Sequence, residues 1–167
     1  MATTMLKGNT VNLAGNEVNV GDKAPEVTVV NSEGLADVTV GGAQGTKQLI
    51  VVVPSLDTPV CATETRQFNA KAAEIEGVKV TVVSMDLPFA AGRFCSTEGI
   101  DSLTVASDFR NKDFANAYGV LIADGALAGV TCRAIFVVEA DGTVSYKEIC
   151  PEITEEPNYD AALAAAK

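Results

Sequence analysis

Four cysteines, Cys61, Cys95, Cys132 and Cys150, carry most of the chemistry this chain could do. They lie 34, 37 and 18 positions apart, so no Cys-x-x-Cys pair occurs. Neither a zinc knuckle nor a redox dithiol motif is therefore present. The chain has no histidine at all. That absence excludes Ser-His-Asp and Cys-His catalysis, haem held by a proximal histidine, and most transition-metal sites. Thiol chemistry remains, and its nucleophile is the thiolate. Cys61 is best placed for it. Thr58 and Pro59 read as a helix start, an N-cap hydroxyl followed by proline at the first helical position. Cys61 is then the third residue of the helix, where free backbone N–H groups favour an anion.

A helix terminus is not enough. A thiol with the ordinary pKa near ~8.5 is mostly protonated at neutral pH, and lowering it to ~6 needs about 3.4 kcal/mol. The terminus supplies roughly 0.3–1 kcal/mol, and up to ~2 in partly buried geometry. A second positive group is required, and Arg133 is the candidate. It lies in the apolar run Val130 to Val138, and alternation puts it on the side of Ile135 and Val137. Its guanidinium cannot shed charge and needs an anion beside it. The Cys61 thiolate is one choice. A carboxylate such as Asp57, or an open sheet edge, is the other, and these residues alone leave the choice open.

The elements that must position these groups follow from the hydropathy pattern. Met5 to Leu13, with Gly8-Asn9 inside, reads as a β-hairpin. Glu26 to Asn31 and Leu35 to Val40 read as two strands around Ser32-Glu33-Gly34. The all-aliphatic run Leu49 to Val53 suits a strand buried on both faces in mid-sheet. Pro54 ends it, and the Cys61 helix should reach about Ile75, with Gly77 beyond its end. Val78 to Ser84 is a strand, Leu87 to about Thr97 a helix carrying Cys95, Leu103 to Ala106 a short strand, and Asp113 to Tyr118 a helical turn or two. Val130 to Val138 and Thr143 to Ile149 form strands joined at Glu139-Ala140-Asp141-Gly142, and Tyr159 to Ala166 is a final helix. The order predicts an α/β protein with a central mixed sheet flanked by helices. This is the plan of a thioredoxin-like fold with an N-terminal β-hairpin extension, as one domain over residues 1–167.

Bulk properties narrow the partners. The 167 residues carry 22 acidic and 12 basic side chains, a net charge of −10. Nucleic acid and anionic membrane are poor partners for such a surface. No stretch approaches the ~20 apolar residues of a membrane span. The N-terminus lacks the pattern of a secretory signal. A cytoplasmic protein with thiols reduced at rest is expected.

Pro54-Ser55-Leu56-Asp57-Thr58-Pro59-Val60-Cys61 fits P-x-x-x-T-x-x-C, which resembles the active-site signature of the peroxiredoxins. Ser84-Met85-Asp86-Leu87-Pro88-Phe89-Ala90, leading to Arg93-Phe94-Cys95, looks like the second signature of the bacterial thiol peroxidases, atypical two-cysteine peroxiredoxins. Similarity continues through Ser107-Asp108-Phe109-Arg110 and Pro151 to Pro157, so it spans essentially the whole chain. The resemblance implies a thiol-dependent peroxidase for hydrogen peroxide and organic hydroperoxides, without haem, flavin or metal cofactor. Cys61 would be the peroxidatic and Cys95 the resolving cysteine, with Thr58, Pro54 and Arg133 completing the site. It further implies an intramolecular Cys61–Cys95 disulfide, thioredoxin as reductant, and a homodimer. A disulfide requires Cα atoms within about 7 Å. Two cysteines on separate helices are expected to need local unwinding for that, eased by Gly92 and Gly99. Cys132 and Cys150 read as small buried hydrophobes, with Cys132 facing away from Arg133. Two rival functions keep the same residues: a peroxide sensor or redox relay passing its disulfide to a client, and a plain disulfide exchanger, which the missing Cys-x-x-Cys disfavours.

Overall fold

The run that the pattern places in mid-sheet is the axis of the molecule in a computed structural model, which describes residues 2–167. Strand β5 (Lys47–Val52) pairs with β6 (Val78–Ser84) in parallel and with β9 (Ala134–Val138) in antiparallel register, and five of its six residues are buried. The other strands extend this core to both edges. They are β3 (Val27–Asn31), β4 (Asp37–Val40), β7 (Thr104–Ser107) and β10 (Val144–Ile149), and the seven-stranded order is β10-β9-β5-β6-β7-β3-β4. Only the β5–β6 and β6–β7 pairs are parallel, as expected of strands joined by helical crossovers.

Alternation along β5 divides the core between two faces. Leu49 and Val51 point to the side of α1 (Pro59–Ala72), α2 (Pro88–Glu98) and α4 (Tyr159–Ala166), where Phe68, Ala91 and Ala162 cover them. Ile50 and Val52 point to the other side, against α3 (Asp113–Tyr118) and the N-terminal strands β1 (Thr3–Leu6) and β2 (Asn9–Ala14). The thioredoxin-like plan and the hairpin extension are thus as the pattern predicts. The hairpin turns on Lys7-Gly8, both at positive φ (51° and 81°), the geometry of a tight two-residue connection.

Beyond shifts of a residue or two at element ends, three features differ from the sequence reading, each for a local reason. Helix α1 stops at Ala72 rather than near Ile75, because Glu74 and Ile75 donate to carbonyls only three residues back and the coil tightens into turns. Residues 130–132 do not belong to the central ladder, which begins with Arg133 O accepting Cys150 N–H at 3.0 Å. They pair instead with an unforeseen short strand, β8 (Leu121–Ile122): Ile122 N–H donates to Val130 O at 2.9 Å, and Cys132 N–H to Val120 O at 2.9 Å. Arg133 therefore sits at the kink just ahead of β9. Thr58 holds the N-cap position of α1, but its hydroxyl makes no cap and donates to Ser55 O at 3.0 Å.

One backbone approach is intolerant of any side chain. Gly41 lies at φ +81°, and a Cβ there would overlap Pro25 O and the hydroxyl of Tyr118, which itself donates to Pro25 O at 2.7 Å. Gly41→Ala should lower the unfolding free energy in urea by about 1–3 kcal/mol. Gly8→Asn, at the same φ in open space, should cost much less.

Candidate active site

Strand β5 ends because Pro54 has no N–H to continue the ladder. The last fixed point before it is Val53, whose N–H donates to Val83 O at 3.1 Å and whose carbonyl accepts the Thr131 hydroxyl at 2.8 Å. From Pro54 the chain crosses to α1 through a loop that a single carboxylate holds. Asp86, just past the end of β6, accepts from Ser55 Oγ at 2.7 Å, from Leu56 N–H at 2.8 Å and from Ser84 Oγ at 2.8 Å. The Ser107 hydroxyl in turn donates to the Asp86 carbonyl. This gives the Ser84-Met85-Asp86 segment a physical role, that of fixing the loop which delivers Cys61.

Cys61 is the third residue of α1, as expected, and it is fully buried. Arg133 is 2% exposed and reaches it: Nη1 donates to Cys61 Sγ at 3.3 Å. The same nitrogen donates to Glu64 Oε2 at 2.6 Å, while Nε donates to Ile153 O at 2.9 Å. The carboxylate beside Arg133 is thus Glu64 and not Asp57, which is exposed in the loop. Glu64 escaped the sequence reading although a signal was available. It lies on the buried stripe Cys61, Glu64, Thr65, Phe68 of α1, at spacings of three, four and seven, where a carboxylate needs a partner. Burial holds its carboxyl up to about 7, against the pull of Arg133.

Above this group lies a largely apolar groove of about 250 Å³, bordered by Pro54, Thr58, Val60, Leu127 and Arg133. Pro54 is buried and Thr58 is exposed at the rim. Cys95 lies elsewhere. It is half-buried in the last turn of α2, beside a separate groove of about 400 Å³ formed with Ser32, Gly92 and Leu103. The two grooves share no residue. Burial raises the Cys95 thiol pKa above its ordinary value. All four cysteines are free. Cys132 packs on the opposite face of the sheet, where burial pushes its thiol up to about 12. Cys150 is buried as well, at the end of β10, and its pKa too is raised. Among the described residues, no group of three or more Cys, Asp or Glu is placed to hold a metal ion. Among the described residues, no helix is long and apolar enough to cross a membrane.

A mixed sheet of this plan, with a buried thiol at a helix start beside an arginine, defines a thioredoxin-like redox protein. The Redoxin family model matches residues 19–163. Similar proteins include a thiol peroxidase of Aquifex aeolicus, 55% identical and aligned over 99% of this chain and 96% of its own. Another, from Campylobacter jejuni, is 56% identical over 95% of this chain and 89% of its own. Among solved structures, a peroxiredoxin-like protein from Aquifex aeolicus superposes with a TM-score of 0.94 at 54% identity, over 99% of this chain and 96% of its own. The chain belongs to the Redoxin family and, within it, to the thiol peroxidases. A thiol peroxidase from Chromobacterium violaceum shares the fold at a TM-score of 0.87, with 24% identity over 97% of this chain and 93% of its own.

The loop geometry makes Asp86 testable. Asp86→Ala strands the Leu56 N–H and two hydroxyls, and should destabilise the fold by about 1–3 kcal/mol. Hydrogen exchange should show faster opening at residues 54–58 than at β5. Uniform loss of protection across the sheet would instead mean that Asp86 supports the fold at large.

Proposed function

We propose that this enzyme reduces hydrogen peroxide and organic hydroperoxides with Cys61 as the attacking thiol. The contact of Arg133 Nη1 with Cys61 Sγ, at 3.3 Å, carries this reading. A guanidinium that stays charged favours the thiolate beside it, adding to the helix terminus the second positive group that the energetics require. The groove bordered by Pro54, Thr58 and Arg133 admits the peroxide. Pro54 keeps water from the sulfur, and the Thr58 hydroxyl, at the rim, turns from Ser55 to hold the incoming oxygen. The thiolate attacks the terminal oxygen. An S–O bond forms, the O–O bond breaks, and alkoxide or hydroxide leaves against Arg133 and takes a proton. Sulfur is oxidised to sulfenic acid and the peroxide reduced to alcohol or water.

Cys95 then condenses with the sulfenic acid, releasing water and forming an intramolecular disulfide. The separate grooves support a cycle in which both helices loosen first. Several contacts make this affordable. The carbonyl of Cys95 accepts the N–H of Gly99 and of Ile100, so Cys95 lies in the final turn, where opening costs least. Exposed bonds clasp that turn to α1: Arg66 with Glu98 at 3.0 Å, and Asn69 Oδ1 with the N–H groups of Asp101 and Ser102. Thioredoxin reduces the disulfide by exchange. The family resemblance adds a homodimer and a reducing, cytoplasmic setting, with residues 1–167 acting as one domain.

The deciding assay is peroxide consumption with thioredoxin, thioredoxin reductase and NADPH. Cys61→Ser should abolish it, and Cys95→Ser should keep the first oxidation while losing recycling. Arg133→Gln should slow the oxidation of Cys61 by about 10²–10³-fold. Full turnover in Cys61→Ser would refute the assignment. A stoichiometric mixed disulfide with a client, without turnover, would favour the relay.

A further inference from the structure

Glu64 is the one charged group of the site that the proposed cycle does not use. It is fully buried, and only one of its oxygens is satisfied: Oε2 takes Arg133 Nη1 at 2.6 Å, while Oε1 has no hydrogen-bond partner. The donor on Oε2 is the same nitrogen that serves Cys61 Sγ. One guanidinium therefore faces two acids in a dry site. With both acids ionised, the group of three carries a net negative charge that burial penalises. With one proton between them, it is neutral.

We propose that Glu64 is a positioning residue that exchanges a proton with Cys61, the two sharing the single positive charge of Arg133, so that the thiolate forms as Glu64 becomes neutral. This deepens the peroxidase reading and rests on Cys61 being its nucleophile. The proton balance closes. Cys61 thiol and Glu64 carboxylate become thiolate and carboxylic acid, with no charge added to the interior. Attack on the peroxide then discharges the sulfur as sulfenic acid, and Glu64 ionises again beside Arg133. The proton it releases equals the one the leaving oxygen takes up.

The surroundings favour this exchange. The charged and titratable groups that act on Glu64 are Glu148 of β10, Cys150 just past it, Glu156 in the segment before α4 and Tyr159 of α4, besides Arg133, which also holds Cys61. Glu148 has its own donors, Asn158 N–H at 3.1 Å and Tyr146 Oη at 3.2 Å, and Glu156 takes Tyr159 Oη at 2.7 Å. Both repel a second anion at Glu64, and Arg133 is the one cation of the group. Burial and this repulsion together keep the Glu64 carboxyl at about 7, close enough to neutrality for the exchange.

Site-resolved alkylation tests the proposal without any peroxide. The protein is treated with iodoacetamide between about pH 5 and 9, and modification of the Cys61 peptide is followed by mass spectrometry. Two acids sharing a proton titrate as a pair, so the wild-type rate should rise in two steps. Glu64→Gln should give one step, with a rate near neutral pH, between the two wild-type steps, about tenfold above wild type. A merely structural role would scale the rate by one factor at every pH, and that result would overturn the proposal. Should Glu64→Gln not fold, ¹³C NMR of glutamate-labelled protein serves instead. One side-chain carboxyl should titrate in two steps, and in Cys61→Ser in a single, more acidic one. A spectrum without such a carboxyl overturns the proposal. Failure of either test leaves the peroxidase reading standing, whereas full peroxide turnover in Cys61→Ser would remove both.

Discussion

A charge that cannot be discharged, held where water cannot reach it, governs this molecule. Arg133 is 2% exposed, and a guanidinium keeps its proton at any pH the fold survives. Its surroundings must therefore supply anions and carbonyls, and they do so from two distant parts of the chain. Cys61 and Glu64 come from α1 and Ile153 O from beyond β10. Such an arrangement contributes little to net stability, since desolvating the pair costs about as much as it returns. What it secures is geometry. The sulfur, the carboxylate and the carbonyl each have one place to be.

That view gives the N-terminal hairpin a function beyond covering the sheet. Met5 N–H donates to Pro151 O at 2.9 Å, Ile153 N–H to Met5 O at 2.8 Å, and the Thr4 hydroxyl to Cys150 O at 2.7 Å. Glu152 clasps the hairpin turn by accepting from Lys7 and Gly8 N–H, which draws its carboxyl down to about 2. The hairpin thus fixes the segment whose carbonyl fixes Arg133. On the other side, Asp86 does the same for the loop ahead of Cys61. The reactive group stands between two braces, one from each side of the central strands.

Much of this was legible in the sequence, and the reason is periodicity. The unbroken aliphatic run of β5 suits a central strand, Pro54 and Pro59 mark where it stops and where a helix can begin, and alternation put Arg133 on the side of Ile135 and Val137, where the structure also packs Cys61, with Cys132 on the other. What escaped depends on pairings that no local pattern encodes. Residues 130–132 run into β9 with no turn residue between, yet they join β8, because Leu121 and Ile122 bring a competing edge to them. Thr58 has the residue type of a cap, but its hydroxyl turns to donate to Ser55 O and accepts no N–H from the first turn. Glu64 was hidden by its chemistry. A carboxylate on a helix is most often solvated, and only the buried arginine, 69 positions away in the chain, makes this one internal.

The brace through Ile153 also sets the order in which the protein can come into being. Cys61 and Glu64 are made well before Arg133, and the carbonyl that orients Arg133 comes a further 20 positions along the chain. During synthesis, the sheet strands through β7 can pair while Cys61 still lacks its cationic neighbour. The contact between Arg133 and Cys61 can take its final geometry only once Ile153 has been made and docked.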